Sequence, residues 1–291
     1  MKLDQKFSGA PTQMILSDRV GDLVEEGISV LNYQPFVLTD DIQTGVGYSW
    51  IATGDVRVNP PLVFRRSDYE SEWPKICDAN ARLRAMYDDL LDEIAQRFPG
   101  TSLLDVACNN GYFPIGAELR GMRGTGMDLG DYSASVGFLN KCLGTDARFL
   151  HQWYDSLTHT FPSMETYDVV VMSAIMCHIP DPLNFLAAAA KRADKAFLFW
   201  GQIVETDALV VSYQPPHQNL SSLTDFPICF NDNTRLSRGL FELSLRQIGF
   251  DHIIEIAPRE TWLTQLHTKI TLPLEQELKT GSRHVALLAM K

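Results

Sequence analysis

An acidic residue inside a strand–turn–helix segment is the feature of this sequence best suited to chemistry. Residues 103–113 have the pattern of a buried strand that breaks into a tight turn and opens a helix, with Asp105 inside the strand. Where a parallel strand ends in this way, the backbone N–H groups at the start of the helix can face a ligand. Such turns bind nucleotides in α/β proteins, so the segment predicts a nucleotide-type cofactor site.

The spacing of glycines in this turn distinguishes between cofactors. A dinucleotide fingerprint would need glycine at Ala107, Asn109 and Tyr112, and none of the three is glycine. The pattern that binds S-adenosylmethionine keeps the acid at Asp105 and spaces its glycines two residues apart. Its glycine positions are Ala107, Asn109 and Gly111, of which only the last is glycine. Because asparagine tolerates positive φ and alanine adds only a methyl group, we expect S-adenosylmethionine, bound at these four residues.

A second acid follows at a distance that suits a ribose ligand. Residues 124–129 have the pattern of a second short strand, which ends at Asp128, and Asp128 follows Gly111 by 17 residues. In this fold class a carboxylate about 20 residues after the glycine turn accepts hydrogen bonds from the ribose hydroxyls. The alternative is that Asp128 caps a helix over 133–143. We expect the ribose role, and we place the neighbouring Leu129 in the cofactor site as well.

The run over residues 167–183 carries a family resemblance. Its strand, followed by His178, Ile179, Pro180 and Asp181, resembles the fourth strand and following loop of class I S-adenosylmethionine-dependent methyltransferases. Within that superfamily it is most similar to the branch of the tRNA wobble-uridine carboxymethyltransferases, over about residues 101–291. The resemblance implies a doubly wound, mostly parallel sheet of seven strands in a Rossmann-like α/β fold, whose last strand inserts antiparallel.

The resemblance also implies roles for four further residues. Asp155 matches the acid that holds the adenine amino group, and Ser173 stands at the strand end whose backbone faces the methionine amino group. Cys177 replaces the tyrosine that helps the wobble-uridine branch place its carboxylated cofactor, which disfavours carboxymethyl transfer. Arg283 matches an arginine that these relatives place against the cofactor or the acceptor, although a surface cation explains it equally well.

Methyl transfer from a sulfonium needs few catalytic groups, because alignment and exclusion of water supply most of the rate. His178, just after strand four, is the candidate general base, with a loop-shaping role as the alternative. His217 is a second candidate, which we place with Trp50, Cys177 and Arg283 among the substrate-binding residues. We expect no metal ion, because Ser173 stands where catechol-type enzymes of the superfamily use aspartate.

The predicted elements place these residues at one sheet edge. Apolar residues spaced three or four apart predict a helix over 78–98, and strands and helices then alternate to the end of the chain. The long interruption at 201–236 and an N-terminal segment are expected to select the acceptor. We therefore divide the chain into a capping segment, 1–77, and a methyltransferase domain, 78–291.

The amino-acid composition limits which classes of binding partner are expected. A net charge of −11 over 291 residues disfavours nucleic acid, because nucleic-acid binders present basic patches. The five cysteines form no C-x-x-C pair, and no run of about 18 apolar residues predicts a membrane span. We expect a cytoplasmic enzyme that methylates oxygen or nitrogen of a small molecule, with the oligomeric state open. The alternatives are a tRNA wobble-uridine modifier and a non-catalytic protein that binds the cofactor.

Overall fold

The N-terminal part of the chain contributes a short helix and a small antiparallel sheet. A computed structural model describes residues 14–47, 62–163, 165–213, 234–262 and 282–291. Helix α1 (Val24–Val30) precedes a small antiparallel sheet of three strands, which are β1 (Val37–Thr39), β2 (Ile42–Thr44) and β3 (Val63–Arg65). The long helix α2 (Trp73–Arg97) follows. We call the described residues 14–47 the cap.

A sheet of seven strands forms the centre of the molecule. In chain order its first five strands are β4 (Ser102–Val106), β5 (Arg123–Asp128), β6 (Arg148–His151), β7 (Tyr167–Ser173) and β8 (Ala193–Val204). An antiparallel pair of strands, β9 (Val211–Tyr213) and β10 (Thr234–Leu236), comes before β11 (His252–Glu255) and β12 (Ser282–Met290), which complete the sheet. The spatial order is β6-β5-β4-β7-β8-β12-β11, and β12 runs antiparallel to both of its neighbours. The predicted fold class, including the antiparallel last strand, is confirmed.

Helices cover both faces of this sheet. They are α3 (Tyr112–Glu118), α4 (Ser133–Leu143), α5 (Pro182–Ala190) and α6 (Arg238–Ile248). Side chains of a strand alternate between faces, so Leu103 packs beneath α2, α3 and α4, whereas Leu104 packs beneath α5 and α6. Helix α3 lies so close to β5 that a Cβ on Gly124 would come within 2.0 Å of the Pro114 carbonyl oxygen. Glycine there lets the helix that follows the turn rest directly on the neighbouring strand.

Three local differences from the sequence prediction have physical causes. Helix α2 begins at Trp73 rather than residue 78, because Pro74 lies in its first turn, where no N–H is needed. Strand β8 continues to Val204 because β12 pairs with it from Ala196 to Val204. The strands of the cap, three residues each, are too short to show a period. Among the described residues, no helix combines the length and apolarity that a membrane span requires.

Candidate active site

The turn after β4 keeps a left-handed backbone at all three motif positions. The φ angles are 67° at Ala107, 50° at Asn109 and 95° at Gly111. A left-handed alanine costs about 1–2 kcal/mol relative to its usual conformations, whereas asparagine and glycine tolerate it better. Strain of this kind persists where the surrounding structure imposes it, and it is common at binding sites. The turn therefore has the shape of the glycine pattern without two of its glycines.

Every backbone N–H of the turn has a hydrogen-bond partner within the protein. The partners are the Met127 carbonyl for Ala107 (2.8 Å) and Cys108 (3.0 Å), Asp128 Oδ2 for Asn109 (2.9 Å), Asn109 Oδ1 for Asn110 (2.8 Å), the Cys108 carbonyl for Gly111 (3.0 Å), and Gln34 Oε1 for Tyr112 (2.9 Å). The expectation that these N–H groups face a ligand is wrong, because backbone carbonyls of Met127 and Cys108 and side chains of Asn109, Asp128 and Gln34 satisfy them. A pyrophosphate would find no donor row here.

Asp128 ends β5 beside the turn, as the sequence predicts. Its Oδ2 accepts from Asn109 N at 2.9 Å and its Oδ1 from Gly130 N at 3.0 Å. Two ionised carboxylate oxygens offer about four acceptor sites, so this half-buried group retains capacity for two hydroxyl donors. Burial raises the pKa of Asp128 despite these bonds. A partner that donates hydrogen bonds would relieve that penalty.

Asp105 is the most unfavourably placed acid of the site. It is 1% exposed, and its Oδ1 is buried without a hydrogen-bond partner. Burial, with the nearby charge of Asp128, raises the pKa of Asp105 well above its usual value. An unsatisfied buried acceptor costs about 1–3 kcal/mol. The geometry therefore calls for a donor, and a cation would be the most effective one.

Arg84 on α2 is a buried cation that the sequence prediction missed. It is 4% exposed, and its Nε and Nη1 are buried without hydrogen-bond partners. Burial lowers the pKa of Arg84, while nearby Tyr112 and Asp88 partly restore it. The spacing of Cys77, Asn80, Arg84 and Asp88 by three or four residues marks a second, polar face of the helix. That spacing is the sequence signal that would have identified it.

A second missed residue borders the ribose candidate. Gln152 follows β6, donates its N–H to the Asp128 carbonyl at 3.1 Å, and has a buried Oε1 without a partner. Leu129 beside it is 50% exposed, as an apolar platform at a ligand crevice would be. By contrast, the Asp155 carboxylate lies at the surface and accepts from Leu157 N (2.9 Å) and Thr158 Oγ1 (2.8 Å) of its own turn. Those bonds, first the one from Leu157 N–H, lower the pKa of Asp155.

The loop after β7 meets the turn after β4 because the two strands pair in parallel, with Val106 opposite Met172. Ser173 is therefore at the same edge, and Ala174 follows it with a left-handed φ of 55°. A short 3-10 turn (Met176–His178) comes next and carries the half-buried Cys177 and His178. The structure thus brings the predicted Ser173, Cys177 and His178 to the edge that holds the cofactor turn.

Arg283 is engaged elsewhere. It forms ion pairs with Glu205 (2.6 Å) and Glu255 (2.6 Å), and both acids also pair with Arg238. Glu255 hydrogen bonding is the main cause that raises the pKa of Arg283. The predicted Trp50 and His217 lie outside the described residues. Within the described ranges, no group of three histidine, cysteine, aspartate or glutamate side chains is arranged to hold a metal ion.

The strand order, the acid-ended second strand and the turn between β4 and α3 define a Rossmann-like methyltransferase fold. A family model described as "Methyltransferase domain" matches residues 79–248, more than half of the chain. The chain belongs to this methyltransferase-domain family.

Similar proteins include two ubiquinone biosynthesis O-methyltransferases. The one from Saccharophagus degradans is 31% identical over 131 residues, which cover 45% of this chain and 52% of that protein. The one from Hahella chejuensis is 31% identical over 151 residues, 51% and 60% of the two chains. The chain thus spans about half the length of these relatives. Among solved structures, Synechocystis magnesium protoporphyrin IX methyltransferase with bound SAH is similar at 14% identity and a TM-score of 0.47, over 78% of this chain and 95% of that one.

Proposed function

We propose that the protein is an S-adenosylmethionine-dependent methyltransferase that methylates an oxygen of a small molecule. The observation that carries the proposal is that Asp105 and Arg84 are buried with unsatisfied polar atoms, while the N–H groups of the turn after β4 are all engaged. Such a site suits a ligand with cationic and hydroxyl donors and one carboxylate. It does not suit the phosphates of a dinucleotide.

Each end of the proposed cofactor has a complementary group. The ammonium of its amino-acid half needs an acceptor, which Asp105 supplies, and its carboxylate needs a donor, which Arg84 supplies. The ribose hydroxyls fit the remaining acceptor sites of Asp128. We assign the adenine amino group to the unpartnered Gln152 Oε1, with Asp155 as the alternative, and the adenine face to Leu129.

When bound, the cofactor supplies an electrophilic methyl group, so this chain must orient the acceptor, exclude water and remove one proton. We propose His178 as the group that takes the proton from the acceptor hydroxyl, because it lies at the sheet edge beside the cofactor turn. We also propose that the backbone at Ser173 faces the methionine amino group of the cofactor and that Cys177 contacts the acceptor. We propose that the capping segment, 1–77, and the loop over 201–236, with Trp50 and His217, complete the acceptor pocket of the domain at 78–291.

Oxygen is the favoured acceptor atom because the similar proteins are named O-methyltransferases. We favour a phenolic hydroxyl as the acceptor, because ubiquinone carries methoxy groups on its ring and O-methylation of a ring hydroxyl forms such a group. The wobble-uridine branch stays an alternative, disfavoured by the net charge of −11 and by Cys177 in place of tyrosine. A non-catalytic cofactor-binding protein is the other alternative. The cytoplasmic location stays a prediction from sequence.

Thermal unfolding with added ligands tests the cofactor directly. S-adenosylmethionine and S-adenosylhomocysteine are each expected to raise the melting temperature, because ligands that bind only the folded state stabilise it, whereas NAD is not. A shift with NAD alone would refute the cofactor assignment. Transfer of labelled methyl to a panel of catechols and phenols, with tRNA in parallel, then tests the acceptor class. Label in tRNA alone would favour the wobble-uridine alternative, and binding without any transfer would favour the non-catalytic one.

A further inference from the structure

Asn110 joins the cofactor turn to the cap. This side chain is fully buried, and its Oδ1 accepts from the backbone N–H groups of Asn32 (3.2 Å) and Tyr33 (3.1 Å). Its Nδ2 donates to the Val30 carbonyl at 3.0 Å. Both the oxygen and the nitrogen of the amide therefore form their hydrogen bonds with the cap. An asparagine can do this because it carries an acceptor and a donor on one planar group.

Gln34 makes the same connection in the opposite direction. Its Nε2 donates to the Cys108 carbonyl at 3.2 Å, and its Oε1 accepts from Tyr112 N at 2.9 Å. The side chain is 7% exposed. Five hydrogen bonds thus join residues 30–34 to residues 108–112, and each pairs the Asn110 or Gln34 side chain with a backbone group of the other segment. We call Asn110 and Gln34 the latch.

The latch holds Tyr33 near Tyr87. Tyr33 is half-buried and packs against the core cluster that contains Tyr87. Burial, then Tyr33 and then Asp105, raises the pKa of the Tyr87 phenol, so Tyr87 is close to both residues. The ring of Tyr87 also meets Trp200 edge-on at 6.1 Å, and the Trp200 carbonyl accepts from Ala174 N at 2.7 Å. An aromatic row therefore leads from the cap to the loop after β7.

We propose that Asn110 is a positioning residue, which holds Tyr33 at the acceptor side of the crevice more firmly when the cofactor turn is occupied. The proposal rests on the proposed function, because it assumes a cofactor at the turn. A ligand that rigidifies residues 107–112 also rigidifies the carbonyl and amide groups that hold residues 30–34. The acceptor then meets a Tyr33 whose position has already been set, which favours binding of the cofactor first.

Amide hydrogen exchange with S-adenosylhomocysteine as the probe tests this coupling without any methyl acceptor. In the wild type, the probe is expected to slow exchange at Asn32 and Tyr33 by at least about tenfold, together with exchange across residues 107–112. In Asn110→Ala at a saturating probe concentration, protection of 107–112 should persist, whereas the probe should slow exchange at Asn32 and Tyr33 much less than in the wild type. Asn110→Asp keeps the accepting oxygen and should restore that protection.

Asn109→Gly is the matched control, because glycine keeps the left-handed φ but removes side-chain bonds to Asn110 N and Tyr132 Oη that do not reach the cap. It should leave the ligand-dependent protection of Tyr33 intact at saturation. The proposal is overturned if the probe protects 107–112 but not Asn32 and Tyr33 in the wild type, a result that needs no variant to fold. It is also overturned if Asn110→Ala retains the coupling. A wild type that does not bind the probe refutes the proposed function instead; faster exchange of Asn32 and Tyr33 in ligand-free Asn110→Ala would then still show the latch.

Discussion

Asp128→Ala is the substitution that tests the cofactor site most directly. The structure gives Asp128 two tasks, since its oxygens accept from Asn109 N and Gly130 N and have acceptor sites left for two ribose hydroxyls. Alanine removes both tasks, whereas Asp128→Asn keeps one accepting oxygen. Both variants are expected to weaken cofactor binding, and the alanine variant should weaken it more.

The magnitude follows from the hydrogen bonds lost. A hydrogen bond to a charged group contributes about 1.5–3 kcal/mol net, so two ribose bonds give an upper range of about 3–6 kcal/mol. Part of this binding free energy is offset, because alanine also removes a half-buried carboxylate whose pKa is raised by burial. We expect about 2–4 kcal/mol, which corresponds to a loss of roughly 30-fold to 1000-fold in affinity. Asp128→Asn should lose about half of that free energy.

Calorimetry with S-adenosylhomocysteine at pH 8 measures these affinities. Asp131→Ala is the matched control, because it removes the same charge. Asp131 lies three residues from Asp128 and is fully exposed. It should leave affinity unchanged. The 2′-deoxy and 3′-deoxy ligand analogues separate the ribose bonds from loop damage, since deleting a hydroxyl should weaken binding to the wild type but not to Asp128→Ala. Equal losses with both proteins would refute the ribose assignment, and so would an unchanged affinity in Asp128→Ala.

Three further substitutions probe the unfavourable features of the site. Arg84→Met should raise stability by about 1–2 kcal/mol, because it removes a buried, partly unpaired charge, yet weaken S-adenosylhomocysteine binding at least about tenfold; unchanged affinity in calorimetry would contradict the carboxylate role. Ala107→Gly should stabilise by up to about 1 kcal/mol in urea unfolding by relieving a left-handed alanine, whereas Ala85→Gly in α2 should destabilise by about 1 kcal/mol; equal losses would contradict the strain. Burial raises the pKa of Asp88 to about 6, so the stability contributed by its protonated form is lost as the pH rises through 6. Asp88→Asn should therefore be more stable than the wild type at pH 8, by up to about 3 kcal/mol. At pH 4 the two proteins should be equally stable. A less stable Asp88→Asn at pH 8 would show that its ion pair with Arg120 prevails.

The central fold was predictable because its signals are local. Alternating apolar strands and amphipathic helices gave the seven strands, and helix α4 spans residues 133–143 as predicted. The cap was not predictable in this way. Its strands are three residues long, and its helix α1 is held by contacts such as Gly27 against Phe138, which lie far apart in sequence. A pattern read along the chain contains no information about such contacts.

The candidate site also has features that the sequence indicates and features that depend on packing. The identities of Asp105 and Asp128 and the left-handed turn follow from a short motif, so the sequence could indicate them. The partners of the turn's N–H groups could not be read from it, because Gln34 and Asp128 come from separate elements. Arg84 was missed because the apolar residues of its helix dominate the periodicity, although its spacing from Asn80 and Asp88 marks a polar face. Which groups are satisfied and which are not depends on packing.

The unsatisfied groups explain why so degenerate a motif can still serve a cofactor. In the protein without ligand, burial and the neighbouring acid raise the pKa of Asp105, and burial lowers that of Arg84. Both groups make the folded state less stable than an apolar core would. A ligand that is cationic where it meets Asp105 and anionic where it meets Arg84 reverses both penalties at once, so affinity is supplied by charges rather than by glycine N–H donors. Because the bound cation favours ionised Asp105, binding should release a proton when the pH lies below the raised pKa, and affinity should fall as the pH falls.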